Sequence, residues 1–275
     1  MSGDVVLRVE GLRAGFGSNT VLHGVTFDVP QGEIAGVFGL NGAGKSVTMK
    51  VLAGVVPAWA GSIEFNGVDI TSMGAEARVE AGMGHVPQGR QVFPGLTVEE
   101  NLRLGAYTLR RRDKARWPGA LASVYDRFPV LADRRTQLAG TMSGGQQASL
   151  AVGRALISEP KLVLVDEPSA GLAPVIVQEL FETLREVAAS GVTMVLVEQN
   201  VSFGLSLCDT ANILQVGRVV WNGPVGELDH STLATHLGIG RMLTSTTAGA
   251  LKDRGGAVAQ TRRRRYGSRA RKPDR

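Results

Sequence analysis

The chain has one cysteine, no long apolar run and no pair of histidines at metal-ligand spacing, and each shortage removes a class of protein. A single Cys208 excludes an internal disulfide. In "SLCDTA" it reads as a small core residue, as expected of a chain in a reducing cytoplasm. No apolar run approaches the ~18 residues of a membrane span. The opening "MSGDVVLRVE" lacks the basic-then-apolar order of a secretory signal, so none is expected. His23, His85, His230 and His236 are scattered, which leaves no histidine-based metal centre to expect. Net charge is also scarce outside one place. The formal +5 arises from the last fifteen residues, "TRRRRYGSRARKPDR", where eight Arg or Lys meet one Asp. Without them the chain is close to neutral, so its basicity describes a tail and not a folded surface. From residue 241 onward the sequence is small, polar and then basic, and reads as a disordered tail over 241–275.

What the chain does have is glycine, 36 residues in 275, and the glycines are placed. An apolar run from Ile34 ends in "GLNGAGKS", residues 39–46, and a helical pattern follows. This is the full phosphate-binding pattern G-x-x-x-x-G-K-[ST] in its proper strand-to-helix setting. Phosphate oxygens need many donors converging on a small volume. Glycine permits the backbone angles that aim successive N–H groups at one point, and the helix start adds unpaired N–H groups and a positive dipole end. Gly39, Leu40, Asn41, Gly42, Ala43, Gly44, Lys45, Ser46 and Val47 are therefore the candidate nucleotide cradle. Lys45 would reach the β- and γ-phosphates and Ser46 would ligate Mg2+. A nucleoside triphosphate with Mg2+ is the expected ligand, and ATP is the one that the family resemblance below implies.

Further along, residues 162–165 are four consecutive apolar residues, the pattern of a strand buried on both faces. They deliver Asp166 and Glu167 to the carboxyl end of the strand, where open α/β sheets place their ligands. Beside a phosphate loop, such a pair divides the work. Asp166 would hold the magnesium shell and Glu167 would polarise the attacking water. Gln88 ends another short strand and could touch the metal or orient water, although a lone glutamine is more often a surface residue. Ser143, Gly144 and Gly145 open a second glycine-led helix and form a second candidate anion site. Phe16 lies in a polar stretch before the loop, where it could stack on a base or plug the sheet.

The remaining pattern is coarser. Residues 5–10 and 25–29 read as strands, separated by a glycine-rich turn, "GLRAGFGSNT". Residues 62–65 form a strand ending in the hairpin signal Asn66-Gly67. "TVEE" at 97–100 is a capping box that starts a helix through about Leu109. The Arg-rich stretch that follows reads as helices with a solvated charged face, broken at Trp117-Pro118 and Phe128-Pro129. Residues 174–190 form an amphipathic helix, and 193–197 another buried strand leading to Glu198, Gln199 and Asn200.

In their order, "GLNGAGKS", the glutamine of "VPQGRQVFPGLTVEENL", "MSGGQQ", "LVLVDE" and "SAGLA" make residues 4–238 resemble the ATPase subunit of ABC transporters. The resemblance implies an α/β P-loop NTPase fold with a RecA-like core, an N-terminal antiparallel β region and an inserted helical subdomain at about 89–159. It also implies base stacking by Phe16. Two departures matter. Ala173 replaces the usual aspartate after "SAGL", and Gln199 stands where the family has a switch histidine. An amide can bond a γ-phosphate but cannot accept a proton, which leaves Glu167 as the general base.

"VPQGRQVFPGLTVEENL", "DEPSAGLAP" and "VEQN" together resemble the smaller ATPase of branched-chain amino acid importers. Urea and short-amide importers share these features, and a soluble ABC ATPase acting on ribosomes or nucleic acid is the more distant alternative. The importer resemblance implies a second ATPase subunit, two integral-membrane permease subunits and, indirectly, a solute-binding protein. It implies a peripheral place on the cytoplasmic face of the cell membrane and no sequence-specific nucleic acid. In it, two ATPases pack head to tail, so that the phosphate loop of one and Ser143–Gly145 of the other enclose each ATP. Val92, Phe93 and Leu96 are then candidate permease contacts.

Overall fold

A computed structural model describes residues 4–237; the tail expected at 241–275 lies outside the described residues. The chain opens with two long antiparallel strands, β1 (Val5–Phe16) and β2 (Asn19–Pro30), followed by β3 (Ile34–Phe38) and helix α1 (Lys45–Leu52). The turn expected across residues 11–20 is mostly strand. Gly11 to Phe16 continue β1, and the pairing with β2 absorbs the glycines as register shifts, for example between Val9 and Leu12. Glycine here marks bulges and not an end of pairing. Next come β4 (Ala60–Phe65) and β5 (Val68–Asp69), joined by Asn66-Gly67 with both φ positive, at 50° and 76°. That is the backbone a two-residue hairpin requires. Together these strands form a four-stranded sheet in the order β2-β1-β4-β5.

Helix α2 (Ala75–Glu80) and β6 (Met83–Val86) lead into a helical region. It comprises α3 (Val98–Gly105), α4 (Tyr107–Arg112), α5 (Trp117–Arg127), α6 (Pro129–Asp133) and α7 (Gly144–Leu156). The Thr97 capping box forms as expected: the Thr97 hydroxyl accepts from Glu100 N–H and the Glu100 carboxylate accepts from Thr97 N–H. The helix it starts stops at Gly105, short of Leu109, and resumes one residue later. A side chain at Gly105 would meet the Arg154 carbonyl at 2.2 Å, so glycine is needed where α3 crosses α7. Pro118 and Pro129 fall in the first turns of α5 and α6, the positions where a missing N–H costs nothing.

The chain then builds β7 (Leu162–Asp166), α8 (Pro174–Ala189), β8 (Thr193–Val197), α9 (Val201–Leu207), β9 (Thr210–Gln215), β10 (Arg218–Pro224) and α10 (His230–Leu237). A second sheet has the order β10-β9-β3-β8-β7-β6, parallel except for β10 at the edge. β3, β7 and β8 are buried along their whole length. Their alternate residues serve two different cores. Phe38, Val163, Val165, Met194 and Leu196 face the helical side, while Ala35, Val37, Leu164, Val195 and Val197 face α1 and the antiparallel sheet. A strand with two apolar partners has no polar face to alternate, which is why these strands read as unbroken apolar runs. Cys208 is buried in the helical-side core.

Candidate functional site

The carboxyl ends of β3, β7 and β8 lie side by side, and the candidate residues follow directly from them. In the loop after β3, Gly42 and Gly44 have φ of 81° and 108°, which only glycine adopts without strain. Helix α1 begins with no side-chain cap and no acidic residue in its first turn, so its N–H groups are not neutralised from within. The Lys45 ammonium curls back to the carbonyls of Gly39 (2.7 Å) and Leu40 (3.2 Å). Burial pulls its pKa down, against the opposing charges of Glu167 and then Asp166. The hairpin carrying Phe16 abuts this loop, since Leu22 of β2 would lie 2.8 Å from a Cβ on Gly44. Phe16 itself is 52% exposed, so it is not the sheet plug that was one reading of the sequence.

At the end of β7, Asp166 and Glu167 are both buried. Asp166 is pushed up to about 6 by burial first and then by the negative charge of Glu167, with Lys50 and Lys45 opposing. Its Oδ1 has no hydrogen-bond partner among the described residues. A buried carboxylate oxygen without a donor, beside a serine-ended phosphate loop, fits a hard divalent cation such as Mg2+, which takes oxygen ligands. Glu167 has φ 47°, unusual for a non-glycine residue. Its Oε2 accepts two amide hydrogen bonds, from Gln88 Nε2 at 2.6 Å and Gln199 Nε2 at 2.8 Å. Oε1 has no side-chain donor among the described residues. The carboxylate is thus held from both sides while one oxygen stays available for a proton.

Two features of this site were not assigned from sequence. Glu198, 1% exposed, accepts from the Ser169 N–H (3.0 Å) and the Ser169 hydroxyl (2.7 Å), one on each oxygen. Burial raises its pKa and the Ser169 bonds oppose that. With the Glu167 N–H bonded to the Val197 carbonyl, this clamps the backbone on both sides of the strained Glu167. Arg90 is the second: its Nη2 donates to the Ala170 carbonyl. In sequence, Glu198 showed only as a strand-end acid and Arg90 as one basic residue among many.

At the other candidate anion site, Ser143 caps α7 and Gln146 bonds back to the Ser143 N–H, a second capping box. Of the candidate partner contacts, Phe93 is 47% exposed and lies under the Arg154 guanidinium at 5.2 Å from the ring centre. Val92 and Leu96 are only half-buried, and Val92 packs on the core. No group of three or more His, Cys, Asp or Glu that could hold a metal occurs among the described residues. No helix among them is long and apolar enough to cross a membrane.

Comparison with known proteins bears on the family and the fold. Residues 22–170 match the family model described as ABC transporter. The chain is 44% identical over 205 residues to the high-affinity branched-chain amino acid transport ATP-binding protein BraG of Pseudomonas aeruginosa, covering 74% of this chain and 87% of that protein. It is 36% identical over 224 residues to the probable branched-chain amino acid transport ATP-binding protein LivF of Archaeoglobus fulgidus, covering 81% and 94%. Among solved structures, a nucleotide-free ATP-binding cassette from an ABC transporter superposes with TM-score 0.73 at 26% identity, covering 86% of this chain and 96% of that one. The ADP conformation of the cassette MJ1267 gives TM-score 0.71 at 28% identity, covering 80% and 91%.

Proposed function

This chain belongs to the ABC transporter ATP-binding family, and from that premise we propose that it hydrolyses ATP to power the import of branched-chain amino acids. ATPase activity is the family's chemistry; the solute rests on two relatives whose own transport role is named, at 44% and 36% identity. The observation that carries the reading is the Glu167 carboxylate, fixed by the Gln88 and Gln199 amides beside the phosphate loop.

Residues 39–47 cradle the triphosphate. When nucleotide enters, Lys45 exchanges the Gly39 and Leu40 carbonyls for phosphate oxygens, an ionised acceptor in place of neutral ones. Ser46, Gln88 and Asp166 would hold Mg2+, which supplies charge neutralisation of the phosphate oxygens. A cation held there would supply the charge that the Asp166 carboxylate lacks and favour its ionised form. Glu167 Oε1 takes the proton of the attacking water while Oε2 keeps its two amide donors. Gln199 orients and cannot relay, since an amide has no proton-accepting role at neutral pH. Phe16, exposed on its hairpin, stacks on the adenine. Ser143, Gly144 and Gly145 close over the nucleotide of a second ATPase subunit packed head to tail. Hydrolysis removes the γ-phosphate contact that favours the closed pair, which makes ATP a selector between two states. The pair works at the cytoplasmic face of the cell membrane against two permease subunits fed by a solute-binding protein.

The test uses affinity-tagged Glu167→Gln, solubilised from membranes with ATP and Mg2+. Mass spectrometry should find multi-span membrane proteins and a second ATPase, and in cells carrying the unaltered chain radiolabelled leucine, not urea, should be the solute taken up. Ribosomal proteins or nucleic acid without membrane partners would overturn the transport reading.

A further inference from the structure

We propose that Arg90 is a nucleotide-contacting residue that acts across the subunit boundary, offering its guanidinium to the terminal phosphate of the ATP held by the other subunit. The inference rests on the head-to-tail reading above and adds a residue to it. Three loops meet at this side chain. Arg90 follows β6 and Gln88; its Nη2 donates at 3.0 Å to the carbonyl of Ala170, three residues past Glu167. Its guanidinium also lies flat against the start of α7, where a Cβ on Gly144 would sit 2.8 Å from Nη1 and 3.2 Å from Cζ.

That position is electrostatically adverse as it stands. A helix start is positive, and a cation placed on it is repelled. No carboxylate lies within ion-pair distance of Arg90 among the described residues. Of its five N–H donors, one has a protein acceptor there, the Ala170 carbonyl. Arg90 and Gln91 both hold left-handed backbone, with φ of 67° and 43°, and Gln91 Nε2 bonds the Gln88 carbonyl at 3.3 Å. The chain therefore bends at two non-glycine residues to set an unpaired cation beside a second source of positive potential. An anion between them relieves both. Guanidinium, with its planar fork, suits a phosphate better than an ammonium does.

The anion is not the chain's own nucleotide, whose phosphates are served by Lys45 from the loop after β3. It is the one that the start of α7 faces when two ATPases pair. Arg90 also edges a cavity of about 250 Å³ shared with Glu167, Ala148 and Ala170, so its state is felt next to the base. Phosphate engagement from the partner would draw Arg90 away from Ala170, or tighten both contacts at once. In either case the segment carrying Glu167 reports on the other subunit's nucleotide.

The test is made in full-length Glu167→Gln, which holds ATP without turnover. Three double variants are compared with it: Arg90→Gln, which keeps a donor for Ala170 but loses the charge; Arg90→Lys, which keeps the charge but loses the fork; and Arg90→Ala. Fluorescent-ATP affinity of the dilute single subunit should be unchanged in all of them. Light scattering should show ATP-dependent pairing weakened by roughly 10- to 100-fold in Arg90→Gln and Arg90→Ala, the worth of a charge-assisted bond, and by less in Arg90→Lys. Thermal melts of Arg90→Gln matching the parent would separate lost charge from lost fold. Pairing of Arg90→Gln as tight as the parent's would reduce Arg90 to a strut between loops and overturn the proposal. A loss of single-subunit affinity would place Arg90 on its own nucleotide and overturn it equally. Failure of the Glu167→Gln parent to pair in ATP, both with itself and with the second ATPase subunit, would instead overturn the head-to-tail reading and this inference with it.

Discussion

Glu167 is where a single atom changes most. Replacing it with Gln keeps the shape and both amide neighbours but removes the proton acceptor, so ATP binding should persist while hydrolysis falls ~10²–10⁴-fold in a phosphate-release assay. Gln199→His should cost far less, because Gln88 still holds Oε2 at 2.6 Å. An equal loss would give the Gln199 amide a role beyond orientation. A second residue-scale test concerns His85 on β6, whose half-buried ring is pulled down to about 4 by desolvation and whose Nε2 has no partner among the described residues. A histidine kept neutral in the fold but free to charge when unfolded adds stability that is whole above about pH 6.5 and drains as pH falls through about 4. Urea melts at pH 7.5 and pH 4.5 should show the parent losing ~2 kcal/mol more than His85→Leu over that interval. Parallel losses would mean that His85 is already solvated in the native state.

At the scale of elements, the helix behind the phosphate loop is anchored at its far end by an arginine. Arg78, 2% exposed on α2, donates to the carbonyls of Val51 and Leu52 at the end of α1, and to Met73, Ile70 and Thr71. It supplies the C-terminal carbonyls of α1 with donors and the negative helix end with a cation. Arg78→Met fills the volume but strands those carbonyls, and should destabilise by roughly 2–4 kcal/mol in a denaturant titration. Nucleotide should restore part of that loss, since it binds the other end of α1. Nothing in the sequence marked Arg78, because "AEARVE" reads as an ordinary amphipathic surface helix and the α1 carbonyls it serves lie over twenty residues away. The phosphate loop, the buried strands at 162–165 and 193–197 and the capping box at 97–100 were legible for the opposite reason: each is a contiguous pattern with one physical solution. The 11–20 segment misled because glycine in a paired, bulged strand and glycine in a turn look alike until the partner strand is known. Arg90 and the Glu198–Ser169 clamp join segments 80 and 29 residues apart, a pairing that the fold alone creates.

For the whole molecule, the basic tail is the largest sequence feature without a place in the mechanism. Deleting residues 255–275 should leave ATPase activity within about twofold, while any affinity for anionic lipid vesicles should drop by ~1 kcal/mol for each basic residue brought near the surface. Loss of ATPase activity on that deletion would make the tail part of the fold. The parallel sheet carries a different consequence. Val197 pairs in register with Val37 on one side and with Asp166 on the other, so the phosphate loop, Gln199 and Glu167 leave one line of backbone bonds at adjacent strand ends. The spacing between the backbone that carries the base and the phosphate loop is therefore set by the sheet, about 4.8 Å per strand, and the Gln88 and Gln199 amides place the carboxylate within it. Sequences descended from this one are free to redraw the cores on both faces of the sheet, trading Val for Ile or Leu for Met, while the backbone frame on which the base faces the phosphate loop is inherited with the register.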